Sequence, residues 1–300
     1  MNTTTAFIAI VGRPNVGKSS LLNCMVGSKI AIVSDKPQTT RTRIMGVRTD
    51  AECQLVFTDT PGQHRARNKL DEFMRRTIGE AMSDTDVCLL VAEPTDKIGD
   101  EEKGLLRRLK NDNTPTVLVI NKTDTVEDKS TLLAIIEAWN SEFAFESIFP
   151  ISAKTGDGVE ELVAHLRTFA VESPHFFPDD ALTDQPERVI AAEVIREKTL
   201  QLLQHEVPHG IAVTIESWDE RETSSGAPII DLEATIVCER ETHKGIVIGK
   251  RGAMLRAIGT AARVELEEIL DSKVNLQCWV KVREDWRNRA GQLQNFGYTM

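Results

Sequence analysis

The sequence predicts an α/β protein with a mostly parallel sheet, followed by a smaller α+β domain. Three observations carry that expectation. Short β-rich runs alternate with helical stretches from Ala6 to about Glu172, a proline-rich break follows, and a different element order fills the rest. The length of 300 residues is about twice that of a common single domain.

In the first part the β-rich runs are Ala6–Val11, Leu55–Thr58, Val87–Ala92, Thr116–Ile120 and Ile148–Ile151. Each is continuously apolar enough to be buried on both faces, as parallel strands are. Helical stretches lie between and after them: Lys18–Met25, Lys69–Met82, Glu101–Lys110, Thr131–Phe143 and Val159–Phe169. In Thr131–Phe143, residues Leu132, Leu133, Ile135, Ile136 and Trp139 form an apolar stripe at helical spacing. Strand and helix in alternation mean βαβ units, whose ligand-binding loops leave the C-terminal ends of the strands.

Ser173–Pro186, with three prolines and three aspartates, reads as a linker. The expected domains are therefore residues 1–172 and 188–300, joined by residues 173–187. The second holds a long helix (Arg188–His205), strands at Gly210–Trp218 and Ile229–Glu239, a helical turn near Lys244, a helix at Ala253–Leu270 and a last strand at Val274–Val282. That order, αββαβ with an added turn, predicts a three-stranded sheet covered by helices.

Composition narrows the function. Hydrophobic residues make up 41% and charged residues 27%, the balance of a globular protein. No apolar run approaches the roughly 18 residues of a membrane span, and no secretory leader is legible, so a cytoplasmic location is expected. The five scattered cysteines form no Cys-x-x-Cys pair, which argues against a disulfide framework or structural zinc. A net charge of −10 excludes indiscriminate coating of nucleic acid. Within it, Arg240–Arg256 carries five basic residues against Glu241 alone, a patch suited to a confined anionic partner.

The sharpest motif is GRPNVGKS, residues Gly12, Arg13, Pro14, Asn15, Val16, Gly17, Lys18 and Ser19, placed after a strand and opening a helix. Its glycines let backbone N–H groups converge on phosphate oxygens, Lys18 brings an ammonium to the β- and γ-phosphates, and the Ser19 hydroxyl suits Mg²⁺. NKTD, with Asn121, Lys122 and Asp124, supplies base recognition. The Asp124 carboxylate can accept both N1–H and the exocyclic amine of guanine, a donor pair that adenine lacks. Asn121 is expected to tie this loop to the phosphate loop, and the Lys122 stem to lie along the base. In DTPG, Asp59 is expected to hold Mg²⁺ through water and the Gly62 N–H to meet the γ-phosphate, with Thr60 and Pro61 between them. Thr39 or Thr40, in QTTRTR at Gln38–Arg43, completes the metal shell, Thr40 being favoured. Arg41 and Arg43 read as solvated. Ser152, Ala153 and Lys154 back the guanine through the Ala153 N–H.

The set GRPNVGKSS, QTTRTR, DTPG, NKTD and SAKTG resembles the translation-factor-related GTPases of bacteria and, with the domain that follows, the Era family of ribosome-assembly GTPases. The resemblance spans nearly the full length. It implies a P-loop GTPase domain, a KH domain of αββααβ order, GTP and Mg²⁺ as ligands, and hydrolysis to GDP and phosphate. It further implies an RNA site at the G-x-x-G loop Gly249, Lys250, Arg251 and Gly252, where Ile246, Ile248 and the following helix are expected to line a groove for about four unpaired nucleotides. The implied partners are small-subunit ribosomal RNA near its 3′ end and the 30S precursor, for a monomeric protein. A tail with Trp279, Trp286, Arg287 and Arg289 leaves peripheral membrane contact, or a protein-binding second domain, as the competing reading. Lys18, Thr40 and Gly62 are the expected catalytic groups. Gln63 departs from the family, where a hydrophobic residue usually follows DTPG, and either orients water or plays no part. Asn15 implies K⁺ beside the phosphates. A nucleotide-gated scaffold with negligible hydrolysis is the alternative from another class.

Overall fold

The computed structural model describes residues 3–36, 38–62, 68–83, 85–203, 210–223 and 226–298. Two compact units emerge. The first comprises Met1–Ala31, Thr40–Ala66 and Met74–Asp184; the second comprises Ile32–Thr39, Arg67–Phe73 and Gln185–Met300.

The sheet of the first unit contains β1 (Thr4–Val11), β2 (Ile44–Asp50), β3 (Cys53–Asp59), β4 (Val87–Ala92), β5 (Thr116–Ile120), β6 (Ser147–Pro150) and the short β7 (Val171–Glu172). Its order is β2-β3-β1-β4-β5-β6, and all neighbours are parallel except β2 against β3. The short β7 pairs antiparallel with β1. Alternation along the central strands divides the core between two faces. Leu89 and Val91 pack with α1 (Lys18–Val26) and α5 (Val159–Leu166), whereas Cys88 and Leu90 pack against α3 (Asp100–Asp112) and α4 (Thr131–Glu142). Of the stripe expected in α4, Ile135 and Trp139 are buried, while Leu133 is 68% exposed.

β2 carried no strand signal, because Gly46, Arg48, Thr49 and Asp50 break any apolar run. It forms by pairing with β3 from Ile44 to Asp50. A side chain at Gly46 would stand 2.6 Å from Leu22 Cδ1, so the strand lies close on α1.

The stretch read as a linker is also ordered on the first unit as far as Asp184. Gln54 receives the N–H groups of Phe176 and Phe177 at 2.8 and 3.0 Å and donates to the Phe177 carbonyl. The Val47 N–H donates to the Leu182 carbonyl, and Thr183 Oγ1 to the Met45 carbonyl. Lack of periodicity was misleading here, since an extended segment against a sheet edge needs backbone partners and not an apolar stripe.

In the second unit, α6 (Glu187–Leu202), β8 (Ala212–Glu222), β9 (Pro228–Cys238), α7 (Glu241–Ile248), α8 (Ala253–Ile269) and β10 (Lys273–Val282) follow in sequence. The turn expected near Lys244 is the full helix α7, giving αββααβ. The sheet order is β10-β9-β8, with β10 parallel and β8 antiparallel to the central strand. Ala191, Val194 and Ile195 of α6 share a core with Ile258, Ala262 and Leu266 of α8 and with Leu232, Ala234 and Ile236 of β9. After β10 comes an unanticipated helix α9 (Ala290–Asn295). Trp286 is fully buried there, its indole N–H donating to the Gly210 carbonyl at 3.0 Å and its ring meeting Phe296 edge-on. Trp279 is instead 55% exposed.

Candidate functional site: a phosphate loop, a base pocket and a glycine-loop groove

The loops leaving β1, β3, β5 and β6 converge, as parallel-sheet geometry requires. Ser19 Oγ at the start of α1 lies 2.6 Å from Asp59 Oδ2 at the end of β3, and Thr40 Oγ1 lies 2.9 Å from Ser19 Oγ. Thr40 is thus the threonine brought to this cluster, where it also donates to Asp59 Oδ2 at 3.4 Å. Asp59 Oδ1 is buried without a hydrogen-bond partner among the described residues. Two hydroxyls and a buried carboxylate with an unused oxygen are a donor set for a hard divalent cation. The chemistry of Ser19, Thr40 and Asp59 is therefore compatible with Mg²⁺.

The phosphate loop is shaped by close approaches. Gly17 has φ +97°, and a Cβ there would sit 2.3 Å from Asn121 Nδ2. At Gly62 a Cβ would lie 2.7 Å from Pro14 Cα, so the DTPG turn packs on the loop, with Thr60 Oγ1 donating to the Ile10 carbonyl at 2.8 Å. Lys18 Nζ donates to the Gly12 and Arg13 carbonyls at 3.0 and 2.9 Å, folding over the concavity that phosphates would fill.

Burial governs the electrostatics. Removal from water brings the Lys18 ammonium down to about 8, against the opposing pull of Asp59. Burial raises the Asp59 carboxyl to about 6, opposed by Lys18, Ser19, Thr40 and the Thr60 N–H. Protons would therefore compete with a metal ion at Asp59 well above the usual carboxylate range. Between pH 7 and pH 5 the Mg²⁺-dependent part of GTP affinity is expected to fall about tenfold, after allowance for protonation of the free nucleotide. A carboxylate of ordinary acidity would give almost no change over that range. Titrating nucleotide with and without Mg²⁺ at each pH decides it.

At the base end, Asn121 joins three loops. Its Nδ2 donates to the Val16 carbonyl at 2.9 Å, and its Oδ1 accepts the Ala153 N–H at 2.9 Å. The Ala153 N–H, expected to face guanine, is thus directed at Asn121. Ser152 Oγ donates to Asp124 Oδ1 at 2.8 Å, and Lys154 Nζ stands 4.0 Å from Oδ2. Lys122 Nζ donates to the Asn15 carbonyl at 2.6 Å and pairs with Glu93, so its stem bridges base loop and phosphate loop.

Sequence reasoning missed Glu93 and Glu102. Glu102 is buried in the first turn of α3, accepts the Gly99 N–H at 3.0 Å and binds Arg13 Nη1 at 3.2 Å. Only the Gly-x-x-Glu spacing of a helix start marked it. Arg41, read as solvated, is 2% exposed, whereas Arg43 is exposed as expected. Gln63 lies outside the described residues.

In the second unit, Gly249 (φ +71°), Arg251 (φ +52°) and Gly252 (φ +76°) adopt left-handed conformations. A Cβ at Gly249 would stand 2.6 Å from Met254 Cβ. Lys250 and Arg251 are exposed at the tip. Beside the loop runs a groove of about 320 Å³, lined by Gly252, Leu255, Arg256, Gly259, Thr260 and Arg263 and floored by Leu276 and Cys278. Ile246 packs against the hydrophobic core instead, and Ile248 is half-buried away from the groove lining. The groove wall is α8, the helix expected to line it, together with β10, which the motif alone did not identify.

Phosphate loop, metal cluster and guanine loop on one parallel sheet, followed by an αββααβ unit with a glycine loop, define a P-loop GTPase carrying a KH domain. Comparison with known proteins agrees: residues 7–122 match the model of the 50S ribosome-binding GTPase family, and residues 206–287 match that of the KH domain. The GTPase Era of Clostridioides difficile (strain 630) is 48% identical, with 98% of both chains covered. That of Ruminiclostridium cellulolyticum is 47% identical over 99% of this chain and 98% of its own. Two solved Era structures each superpose with a TM-score of 0.93 at 36% identity, covering 99% of this chain and all of theirs. One is Aquifex aeolicus Era bound to GDP and AlF4⁻; the other is an Era complex with MgGDPNP and nucleotides 1506–1542 of 16S ribosomal RNA. The chain belongs to the Era family of GTPases, and is a GTP-hydrolysing enzyme that works with Mg²⁺.

Proposed function

We propose that this GTPase binds the 3′ region of small-subunit ribosomal RNA through its KH unit and acts, as a cytoplasmic monomer, on the 30S precursor. The groove beside Gly249–Gly252 carries the reading: exposed cations at the glycine loop meet phosphates, while Leu255, Gly259 and Leu276 offer an apolar bed for unpaired bases. The solved Era complex with 16S ribosomal RNA supports the choice of RNA. Among the described residues no helix is long and apolar enough to cross a membrane.

On the GTPase side, water attacks the γ-phosphate in line. Lys18 and the phosphate-loop N–H groups neutralise charge on the phosphoryl oxygens, and the Gly62 N–H holds the γ-phosphate. Ser19, Thr40 and Asp59 would hold the Mg²⁺, which supplies the remaining positive charge. Asn121, Asp124 and the Ser152 hydroxyl fix the guanine end.

The test is binding of a single-stranded RNA carrying the 16S 3′ sequence, over a series of salt concentrations. Replacing Lys250 and Arg251 together with Ala should weaken binding by about tenfold or more and flatten the salt slope by about two charges. Gly259→Phe should weaken it comparably with an unchanged salt slope, because it fills the groove without removing charge. Full-strength binding by both variants would remove the groove from the reading.

A further inference from the structure

The segment Ile32–Thr39, which leads into Thr40, is part of the second compact unit, and its backbone is held there by one face of α6. The Glu197 carboxylate accepts the Val33 N–H at 2.6 Å, and Gln201 Nε2 donates to the Val33 carbonyl at 3.1 Å. Arg196 Nη2 donates to the Thr39 carbonyl. The guanidinium is fully buried and oriented from the other side by Glu193, whose Oε1 accepts from Nε at 2.8 Å. These bonds all reach the segment's main chain, so they fix its path irrespective of its side chains.

The Thr39 carbonyl belongs to the peptide group that joins Thr39 to Thr40. Thr40 is 7% exposed, with its hydroxyl 2.9 Å from Ser19 Oγ. A charge-assisted bond to that carbonyl restricts the peptide plane and with it the direction in which Thr40 presents its hydroxyl. We infer that Arg196 is a positioning residue for the GTP state: by holding the Thr39 carbonyl it presets Thr40 as a metal ligand, and so favours Mg²⁺·GTP over GDP. The inference rests on the reading of Thr40 as a ligand that matters when the γ-phosphate is present. A ligand shifts such an equilibrium only by its differential contacts with the two states, and Thr40 supplies that difference.

The experiment uses the full-length protein with fluorescent GDP and a fluorescent non-hydrolysable GTP analogue, titrated at fixed Mg²⁺. Arg196→Met should weaken binding of the GTP analogue about tenfold and leave GDP within about twofold, while Arg196→Lys, which keeps a donor and its charge, should recover part of the loss. A purely structural arginine would lower both affinities together and would not be rescued. Arg196→Gln, two bonds shorter, should show the same selective loss, and it decides the matter if the Met variant is insoluble. Thr40→Ala separates the two levels. If it reduces GTP preference while Arg196→Met and Arg196→Gln do not, the inference falls and the assignment of Thr40 stands. If Thr40→Ala itself has no effect on GTP preference, that assignment falls and the inference with it.

Discussion

Asp124→Asn is expected to move nucleotide preference from GTP to xanthosine triphosphate, with GTP affinity lowered about a hundredfold and xanthosine triphosphate raised by a similar factor. The direction follows from which carboxylate oxygen is already engaged. Ser152 Oγ donates to Asp124 Oδ1 at 2.8 Å, leaving Oδ2 free of that bond. In the variant the amide oxygen takes the Ser152 hydroxyl, and the amide NH₂ replaces Oδ2. A donor then faces the exocyclic position of the base, where guanine has an amine and xanthine a carbonyl. Ser152→Ala alongside Asp124→Asn should blunt the switch, since nothing then sets the amide's orientation. Competition between the two nucleotides for wild type and both variants reads this directly, and an unaltered preference in Asp124→Asn would detach Asp124 from the base.

Lys18→Met is expected to abolish measurable nucleotide binding and yet make the nucleotide-free protein more heat-stable. The ammonium is buried and held near 8, below its ordinary 10.5. The sign follows from proton linkage. Because the folded state binds the proton more weakly than the unfolded chain, the cost is complete below about pH 8 and disappears as pH rises toward 10.5. At neutral pH its removal should recover about 1–3 kcal/mol, the remainder being offset by the lost bonds to Gly12 and Arg13 and the lost attraction to Asp59. Thermal unfolding of empty wild type and variant from pH 7 to 10 checks both halves, because the gap between them should narrow as pH rises. A variant less stable than wild type at pH 7 would show the carbonyl bonds outweighing desolvation.

Much of this was legible because phosphate and guanine chemistry require particular residues at fixed offsets from strand ends. β4 and β5 fall on Val87–Ala92 and Thr116–Ile120 as their apolar runs predict. Ser19, Thr40 and Asp59, distant in sequence but each tied to a motif, come within hydrogen-bond distance of one another. What escaped was fixed by long-range partners. β2 exists through its pairing with β3, Glu102 matters because α3 delivers it to Arg13, and the β10 side of the groove depends on how α8 packs over that strand. Arg41 reads as an ordinary loop arginine, and only folding encloses it. Arg196 and Glu197 lie in a helix with no motif at all, yet they hold the backbone beside Thr40.

After Phe176 and Phe177 bond the Gln54 side chain of β3, Leu182 and Thr183 bond the Val47 N–H and the Met45 carbonyl of β2, the outermost strand of the first sheet. These bonds satisfy main-chain groups at a margin that would otherwise be open for a foreign chain to add a strand. A GTPase fragment trimmed at residue 172 would bare that margin and invite self-association. One extended to Asp184 would keep its own seal.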